Sequence, residues 1–406
     1  MSIRDTFIEE DGFGIVPRPN RNKHNGKFDI VRRYTLTNKH KASVQLISWG
    51  AGIQSIKIPN KSGILGDIVL GFDDLEGYLK NRYIGSIIGR VVNRISGGKM
   101  TVNNKVHQLS VNDKNGYSHF NGGIFGFDNV NWQSHILDKY VVMSHCSRAH
   151  GEGYPGDMLT QVKYSWTDDN QLHINIRATA TEPTPANITT NCLMNLAGHA
   201  TGPIELKKHV VAINAGSWTF ADVKDNLPTG AIFPVDRTVY DLRLPTQLTK
   251  NRLYNVPGGG YNQNLCVTSP SCWSYRFHAR VLHPGSGRTL EVYSNQPGLQ
   301  FTTGNDLTDP ERIYPPDFDD FCDCDNEDFT PAKFDQVSLQ NATEYEEEPE
   351  IWGKDGVRYQ RHGGFTLSPQ NYPDAINISD FPCSVLYPGK VYTHDITYKF
   401  GLLSKI

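Results

Sequence analysis

Residues 172–181 read LHINIRATAT, and the uninterrupted alternation of apolar and polar residues in this stretch decides the fold class. In an extended strand successive side chains point to opposite faces. Ile174, Ile176 and Ala178 therefore share one face, and the polar residues between them share the other. The stretch predicts a strand with one face in a core and one face toward solvent or a site.

Segments of the same kind recur along the chain between turn signals. They are VQLISWGAGIQSIKIP from Val44, RTLEVYSNQPGLQFTTG from Arg288 and VYTHDITYKF from Val391. Convincing helical windows are scarce, and DDLEGYL from Asp73 is the best short one. Because 37 glycines and 23 prolines punctuate these strands, the sequence predicts an all-β fold built as a large antiparallel β-sandwich.

Composition excludes several classes of partner. The 40 Lys and Arg residues against 43 Asp and Glu give a formal charge of −3, which leaves no basic excess to neutralise a phosphate backbone, so no nucleic-acid partner is expected. No apolar run of 18 residues occurs, so we expect no membrane partner. Acids lie near the N-terminus, so we expect no signal peptide and a cytoplasmic location. Seven cysteines spread over 406 residues fit reduced thiols. No cofactor is predicted.

An acidic insertion is predicted at about residues 308–357. Between Asp309 and Glu350 the chain carries fifteen acids against two bases, Arg312 and Lys333, and such self-repelling segments pack poorly. A solvated loop is the simplest interpretation, and a contact surface for a basic protein partner is a second. A cation site in DFDDFCDCDNED (317–328) is weakly supported because the EF-hand glycine and terminal glutamate are missing, so no metal site is predicted.

Ten segments, in a fixed order, resemble the galactose mutarotase (aldose 1-epimerase) family. They include SWGAGIQSIKIP, IGRVVNRISGGKM, NGGIFGFDNVNW, PTPANITTNCLMNLAG, QPGLQFTTGN and GGFTLSPQNYPDAIN. The resemblance runs from about Tyr34 to Phe400 apart from the insertion. It implies a galactose mutarotase-like supersandwich at 31–406 after an N-terminal extension at 1–30, with a hexose site in a cleft on one sheet.

The resemblance also implies a reaction in which the α and β anomers of a free aldose interconvert. A base takes the proton of the anomeric hydroxyl while an acid protonates the ring oxygen, and each group contributes roughly 10² to 10⁴ in rate. In the family the base is a glutamate, at the position that Ser368 occupies here, and the acid is a histidine, at the position of Asn191. A hydroxyl and a carboxamide do not exchange protons in this way near pH 7.

Five further positions follow from the resemblance. A histidine before the paired glycines is replaced by Asn121, and an aspartate of the Gly-aromatic-Asp segment is replaced by Asn262. These changes keep polarity but weaken hydroxyl recognition, because hydrogen bonds to charged acceptors are about twice as strong as neutral ones. Asn93, Arg94 and Gln300 match family residues that bind the sugar, although each could equally satisfy structural groups.

Three other residues were weighed as substitutes for the missing groups. His119 lies two residues before Asn121 and would share its face on an extended strand, displaced by roughly 7 Å, so we retain it as a candidate binding residue. Asp374 follows Pro373 in a turn, where a structural role is expected. Cys192 follows Asn191 and is expected to point to the opposite face, as a small buried hydrophobe.

The sequence therefore supports two main hypotheses. The first is a catalytically inactive pseudoenzyme of this family that binds a carbohydrate or acts as a protein-interaction scaffold. The second is an active aldose 1-epimerase of hexose metabolism with substituted site residues. The loss of both proton-transfer groups favours the first.

Overall fold

The computed structural model describes residues 6–17, 28–114, 116–222, 227–269, 271–307 and 350–403. Over these ranges the chain is built mainly of strands, joined by turns and three short helices. The helices are α1 (Leu75–Lys80), α2 (Gly202–Leu206) and α3 (Lys250–Tyr254).

The strands of the described ranges are numbered in chain order. They are β1 (Phe7–Pro17), β2 (Phe28–Thr37), β3 (Ser43–Ile47), β4 (Gly52–Pro59), β5 (Leu65–Asp67), β6 (Ile87–Ile88), β7 (Arg94–Ile95), β8 (Lys99–Val102), β9 (Lys105–Gln108), β10 (His119–Phe120), β11 (Gln133–Leu137), β12 (Tyr140–Ser147), β13 (Met158–Trp166), β14 (Gln171–Ala180), β15 (Thr184–Pro185), β16 (Thr189–Thr190), β17 (Val210–Ile213), β18 (Ala215–Ala221), β19 (Pro228–Pro234), β20 (Thr246–Gln247), β21 (Asn262–Val267), β22 (Arg276–Leu282), β23 (Arg288–Ser294), β24 (Gly298–Thr302), β25 (Ile351–Trp352), β26 (Arg358–Tyr359), β27 (Thr366–Gln370), β28 (Val385–Leu386) and β29 (Tyr392–Leu402).

Three sheets carry the architecture. The first has five strands in the order β1-β2-β3-β4-β5, and the second has nine in the order β11-β12-β13-β14-β29-β23-β22-β17-β20. The third, which we call the site sheet, has five strands in the order β19-β18-β21-β24-β27. Neighbouring strands within all three are antiparallel, which confirms the predicted large antiparallel β-sandwich.

The nine-stranded sheet packs against both five-stranded sheets. The Tyr164 hydroxyl of β13 donates to the Ala51 carbonyl beside the first sheet (2.6 Å), and the Tyr398 hydroxyl of β29 donates to the Leu367 carbonyl of the site sheet (3.0 Å). Both tyrosines are fully buried in one apolar core that draws residues from all three sheets. Packing of facing apolar sides is what makes this arrangement stable.

The alternating stretch that opened the sequence forms β14, one of the central strands of the nine-stranded sheet. Ile174 and Ile176 are fully buried, whereas Asn175 and Arg177, which alternate with them, are half-buried. The other alternating segments form β3, β4, β23, β24 and β29, and the helix predicted near Asp73 is α1. Period-two patterning therefore located these strands correctly.

The predicted N-terminal extension and the predicted acidic insertion are each described only in part. The chain before residue 31 contributes β1, which pairs antiparallel with β2 over ten residue pairs, and the boundary predicted at residue 30 falls inside β2 (Phe28–Thr37). Of the acidic insertion predicted at 308–357, residues 308–349 lie outside the described residues, whereas 350–357 are described.

The chain re-enters the fold after the insertion through a buried ion pair. The Lys354 ammonium lies 2.6 Å from the Asp67 carboxylate and donates to the Gln54 carbonyl at 2.8 Å. Lys354 is only 5% exposed, and burial lowers its pKa. Residues 350–359 are thus fixed to the first sheet.

The five cysteines of the described ranges are free thiols, as expected, and Cys322 and Cys324 lie outside those ranges. No described helix is long and apolar enough to cross a membrane.

Candidate functional site

Three of the predicted site positions lie on one face of the site sheet. Gln300 of β24 is directly opposite Ser368 of β27, and Asn262 lies two residues from the partner of Gln300 on β21. Directly opposed residues of antiparallel strands place their side chains on the same face. The Gln300 amide donates to the Asn262 side-chain oxygen at 2.8 Å, so strand register alone brings these positions together.

The remaining amides join this group from a second direction. The Asn93 backbone N–H donates to the Asn121 side-chain oxygen (2.8 Å), and the Asn121 N–H donates back to the Asn93 carbonyl (2.9 Å). The Asn93 side chain donates to Gln300 Oε1 over a long 3.4 Å. We call Asn93, Asn121, Asn262 and Gln300 the amide cluster; all four side chains are half-buried.

The backbone around the cluster adopts conformations that few residues tolerate. Asn93 has φ of 68° and Asn121 has φ of 48°, in the left-handed region where asparagine is among the least disfavoured side-chain-bearing residues. Gly122 follows with φ of 86°, and a Cβ there would lie 1.8 Å from the Gly89 carbonyl oxygen. The paired glycines of HFNGG are thus required for Asn121 to face Asn93.

Arg94 supplies a positive charge beside the amide cluster. Its guanidinium carbon lies 4.7 Å from the centre of the Phe120 ring, within the range of a cation–π contact. The strand pairing of β7 with β10 sets this contact, because Arg94 is directly opposite Phe120.

Asn191 and Ser368, the positions expected to hold the acid and the base, both direct their polar groups at the backbone. The Asn191 amide donates to the Tyr83 carbonyl at 3.1 Å, and the Ser368 hydroxyl donates to the Thr190 carbonyl at 2.8 Å. Since Thr190 precedes Asn191, the two positions lie beside the same short strand, β16. Ser368 is 4% exposed.

Two residues near these positions were missed from the sequence. Tyr83 has φ of 74°, a rare conformation for a bulky residue and one that marks functional or strained segments. Its ring meets Phe120 edge to face with centroids 5.8 Å apart, and its carbonyl accepts the hydrogen bond from Asn191. Asn264 is directly opposite Gln300 and extends the polar face of the site sheet. The spacing of Asn262 and Asn264, two residues apart in the sequence, indicates that they share this face.

His119 lies in the interior rather than on the polar face. It is fully buried, with Nε2 2.7 Å from the Tyr154 hydroxyl and Nδ1 2.7 Å from the Ser110 carbonyl. Burial lowers its pKa, so the ring is neutral near pH 7. Because both ring nitrogens already have partners, we leave His119 out of the proposed binding set.

Asp374 and Cys192 are held in structural surroundings. The Asp374 carboxylate accepts hydrogen bonds from the Ser96 N–H (3.3 Å) and the Asn377 amide (2.8 Å), and burial raises its pKa. Cys192 is 1% exposed in the main core, where burial raises the pKa of its thiol to about 12. A thiol of that pKa is a poor source of thiolate at neutral pH.

The polar groups gathered at this site can take part in hydrogen bonding. Carboxamides and a hydroxyl can both donate to and accept from sugar hydroxyls, whereas the guanidinium can only donate to them. Among the described residues no group of three or more His, Cys, Asp or Glu side chains could hold a metal ion.

Comparison with known proteins gives a consistent family. The aldose 1-epimerase family profile matches residues 32–399. The chain is 37% identical to galactose mutarotase from Bos taurus over 360 residues, covering 88% of this chain and 91% of that protein, and the values for galactose mutarotase from Homo sapiens are the same. It is 30% identical to an aldose 1-epimerase from Streptococcus thermophilus over 384 residues, covering 93% of this chain and 95% of that protein.

Solved structures share the fold. A GalM/aldose epimerase homologue from C. elegans superposes with a TM-score of 0.73 at 24% identity, covering 90% of this chain and 97% of its own. A galactose 1-epimerase from Lactobacillus acidophilus NCFM superposes with a TM-score of 0.69 at 18% identity, covering 98% and 99%. These likenesses extend the agreement in fold across nearly the whole chain.

Proposed function

The chain belongs to the aldose 1-epimerase family, and from that premise we propose that it is a catalytically inactive, carbohydrate-binding member of the family. The proposed ligand is a hexose in the pyranose form, held by the amide cluster and Arg94. We further propose a cytoplasmic location, as the composition of the sequence predicts.

The observation that carries this proposal is the side-chain chemistry of Asn191 and Ser368 and the hydrogen bonds that they make. Opening a hemiacetal ring requires one group that removes a proton and another that supplies one. In the described part of the chain, the side-chain hydrogen bonds of these two residues go to backbone carbonyls. Losing both groups should cost at least the ~10² to 10⁴ in rate that one of them provides, even if their effects are not additive.

Retention of binding is supported by the intact remainder of the site. Asn93, Arg94 and Gln300 match the binding residues of the family, and Asn121 and Asn262 keep polar groups in the other two places. Neutral hydrogen bonds contribute about 0.5–1.5 kcal/mol each, less than the ~1.5–3 kcal/mol of bonds to charged groups. We therefore expect weak binding, with a Kd near the millimolar range that corresponds to about −4 kcal/mol.

Calorimetry with a panel of hexoses tests the binding half of the proposal. Wild-type protein should bind at least one hexose, and Gln300→Ala should weaken that binding because Gln300 connects Asn93 and Asn262. Ile204→Ala is a matched control, since Ile204 is 71% exposed on α2 and lies outside the cluster. Absence of binding by the wild-type protein to every sugar would contradict this half.

An active aldose 1-epimerase is the second candidate. It is favoured by the 37% identity to galactose mutarotases and by the retained Asn93, Arg94 and Gln300. In that case another ionisable group would have to reach the anomeric oxygen. Acceleration of mutarotation by the wild-type protein would select this candidate over the first.

A protein-interaction role is the third candidate, and it rests on sequence alone. The fifteen acids between Asp309 and Glu350 would attract a basic partner by long-range steering. Deleting 310–349, which leaves the Lys354 ion pair in place, should then abolish recovery of such a partner from lysate at low salt. Unchanged recovery after the deletion would dismiss this candidate.

A further inference from the structure

A cavity of about 310 Å³ lies outside the amide cluster and shares no residue with it. Its wall consists of residues 383–387 and 390–393, together with Trp273, Asn295 and Ala186. Ligand pockets in proteins occupy ~300–1,000 Å³, so the cavity suits a ligand of about one ring. Nothing in the sequence marked this region.

The cavity is bordered by large side chains that remain open to solvent. Trp273 is 43% exposed and Tyr387 is 48% exposed. Exposed apolar surface rimmed by polar groups marks interaction sites more often than chance placement does. The backbone at Tyr387 begins a tight turn, in which the Lys390 N–H donates to the Tyr387 carbonyl (3.1 Å) and Gly389 has φ of 78°.

Fixed polar groups accompany the aromatic rings. The Asn295 side chain is oriented at both ends, because its amide donates to the Thr393 carbonyl (3.1 Å) and its oxygen accepts from the Asp395 N–H (3.0 Å). The Ser384 hydroxyl is buried and has no hydrogen-bond partner among the described residues. A buried hydroxyl without a partner is destabilising, and a hydrogen bond to a bound hydroxyl would offset that cost.

We propose that this cavity is a second carbohydrate site that binds a pyranose. A pyranose has an apolar C–H face, which suits the flat Trp273 and Tyr387 rings, and a rim of hydroxyls, which suits Ser384, Asn295 and the Lys390 ammonium. A purely apolar ligand would leave the Ser384 hydroxyl unsatisfied. A ligand bound chiefly through its negative charge would depend on Lys390, an exposed side chain whose attraction is screened by salt.

The cavity is connected to the candidate functional site through the hydrogen bonds between Tyr392 and Ile188. Tyr392 lines the cavity, and its hydroxyl contacts both the N–H (3.1 Å) and the carbonyl (3.3 Å) of Ile188. Ile188 lies three residues before Asn191. The ring of Tyr392 is thereby fixed in the cavity wall, whether or not the amide cluster binds a sugar.

Titration of the full-length protein with methyl β-D-galactopyranoside and methyl β-D-glucopyranoside tests the proposal, with binding followed by calorimetry and ligand-observed NMR. Methyl glycosides cannot mutarotate, so catalysis does not affect the readout. Trp273→Ala and Tyr387→Ala should each weaken binding at least ~10-fold, because each removes an aromatic ring worth more than about 1.4 kcal/mol of contact. Trp352→Ala is the matched control, since Trp352 is 58% exposed in β25 and outside the cavity.

The alternative outcomes are distinct. If Gln300→Ala abolishes all binding while Trp273→Ala changes nothing, the sugar occupies only the amide cluster; the cavity proposal then fails and the proposed function stands. If indole binds at the cavity and neither glycoside does, the cavity takes apolar ligands and the pyranose assignment is wrong. If the Trp273 variant alone loses binding, the cavity proposal holds independently of the amide cluster.

Discussion

Restoring both titratable groups should create epimerase activity in this protein. The change is Asn191→His together with Ser368→Glu. A glutamate at 368 would project onto the same face as Gln300, which lies directly opposite. Because Ser368 is 4% exposed, burial would raise the pKa of the new carboxyl above its usual value of about 4.3 and toward the range in which a general base works well.

The structure sets the expected size of both effects. Each restored group should add roughly 10² to 10⁴ in rate, with the pair acting as a unit, so the double variant should exceed either single variant by at least ~10². The change also removes the bonds from Ser368 to Thr190 and from Asn191 to Tyr83. We therefore expect the free energy of unfolding to fall by about 1–3 kcal/mol.

Polarimetry on freshly dissolved α-D-galactose is the assay, with Asn121→His and Asn262→Asp added as a second step to restore hydroxyl recognition. The matched control is Asn191→His with Ser368→Gln, which has the size of glutamate but no ionisable group, and it should stay silent. Equal activity in this control would refute the reasoning. So would a silent four-fold variant that still binds galactose by calorimetry.

Three further predictions concern stability and can be read from urea unfolding. Lys354→Ala should cost about 3–5 kcal/mol, because it leaves the Asp67 carboxylate, whose side chain is 10% exposed, without its charged partner; a cost below ~1 kcal/mol would mean that solvent or the remaining hydrogen bonds to Asp67 compensate for the loss. Gly122→Ala should cost more than the ~1 kcal/mol expected of Gly116→Ala, since both have positive φ but only the first would clash, with a backbone oxygen at 1.8 Å. Burial lowers the pKa of His209 to about 3. Below pH ~6.5 the unfolded state therefore takes up a proton at this residue and the folded state does not. His209 should thus lower the free energy of unfolding by about 1.4 kcal/mol per pH unit as pH falls from 6.5 to 5. His209→Phe should flatten that slope by the same amount, and an unchanged slope would show that the ring is protonated in the folded protein.

The strands could be predicted because their signal is local. The alternation in β14 and in the segments that form β23 and β24 follows from the two-residue period of a strand with one buried face. The helix α1 was visible for a similar reason, since Asp74 caps it and its side chain accepts from the Gly77 N–H at 3.0 Å. The order of strands in the sheets has no such local signal, was not predicted from the sequence, and is known from the structure.

The candidate site was less accessible to sequence reasoning because it depends on turns. His119 was expected on the face of Asn121, but β10 contains only His119 and Phe120, and the chain turns at Asn121 with φ of 48°. Strand alternation therefore stops before it can place the two side chains together. Tyr83 was missed for the same reason, since a positive φ at a tyrosine has no signature in the sequence.

Asn191 and Ser368 show what the resemblance added. Neither residue belongs to a motif that points to chemistry, and amides and hydroxyls are common in loops. Only the alignment of NITTNCLMNLAG and GGFTLSPQNYPDAIN with the family made their neutrality informative. Their roles, and the loss of catalysis that follows from them, remain predictions.

The rate of mutarotation of α-D-galactose in the presence of micromolar wild-type protein tests the central claim most directly. If proton transfer at the anomeric centre has been lost with the glutamate and the histidine, the optical rotation should relax at the rate seen in buffer alone. A relaxation rate that rises in proportion to protein concentration would contradict the account.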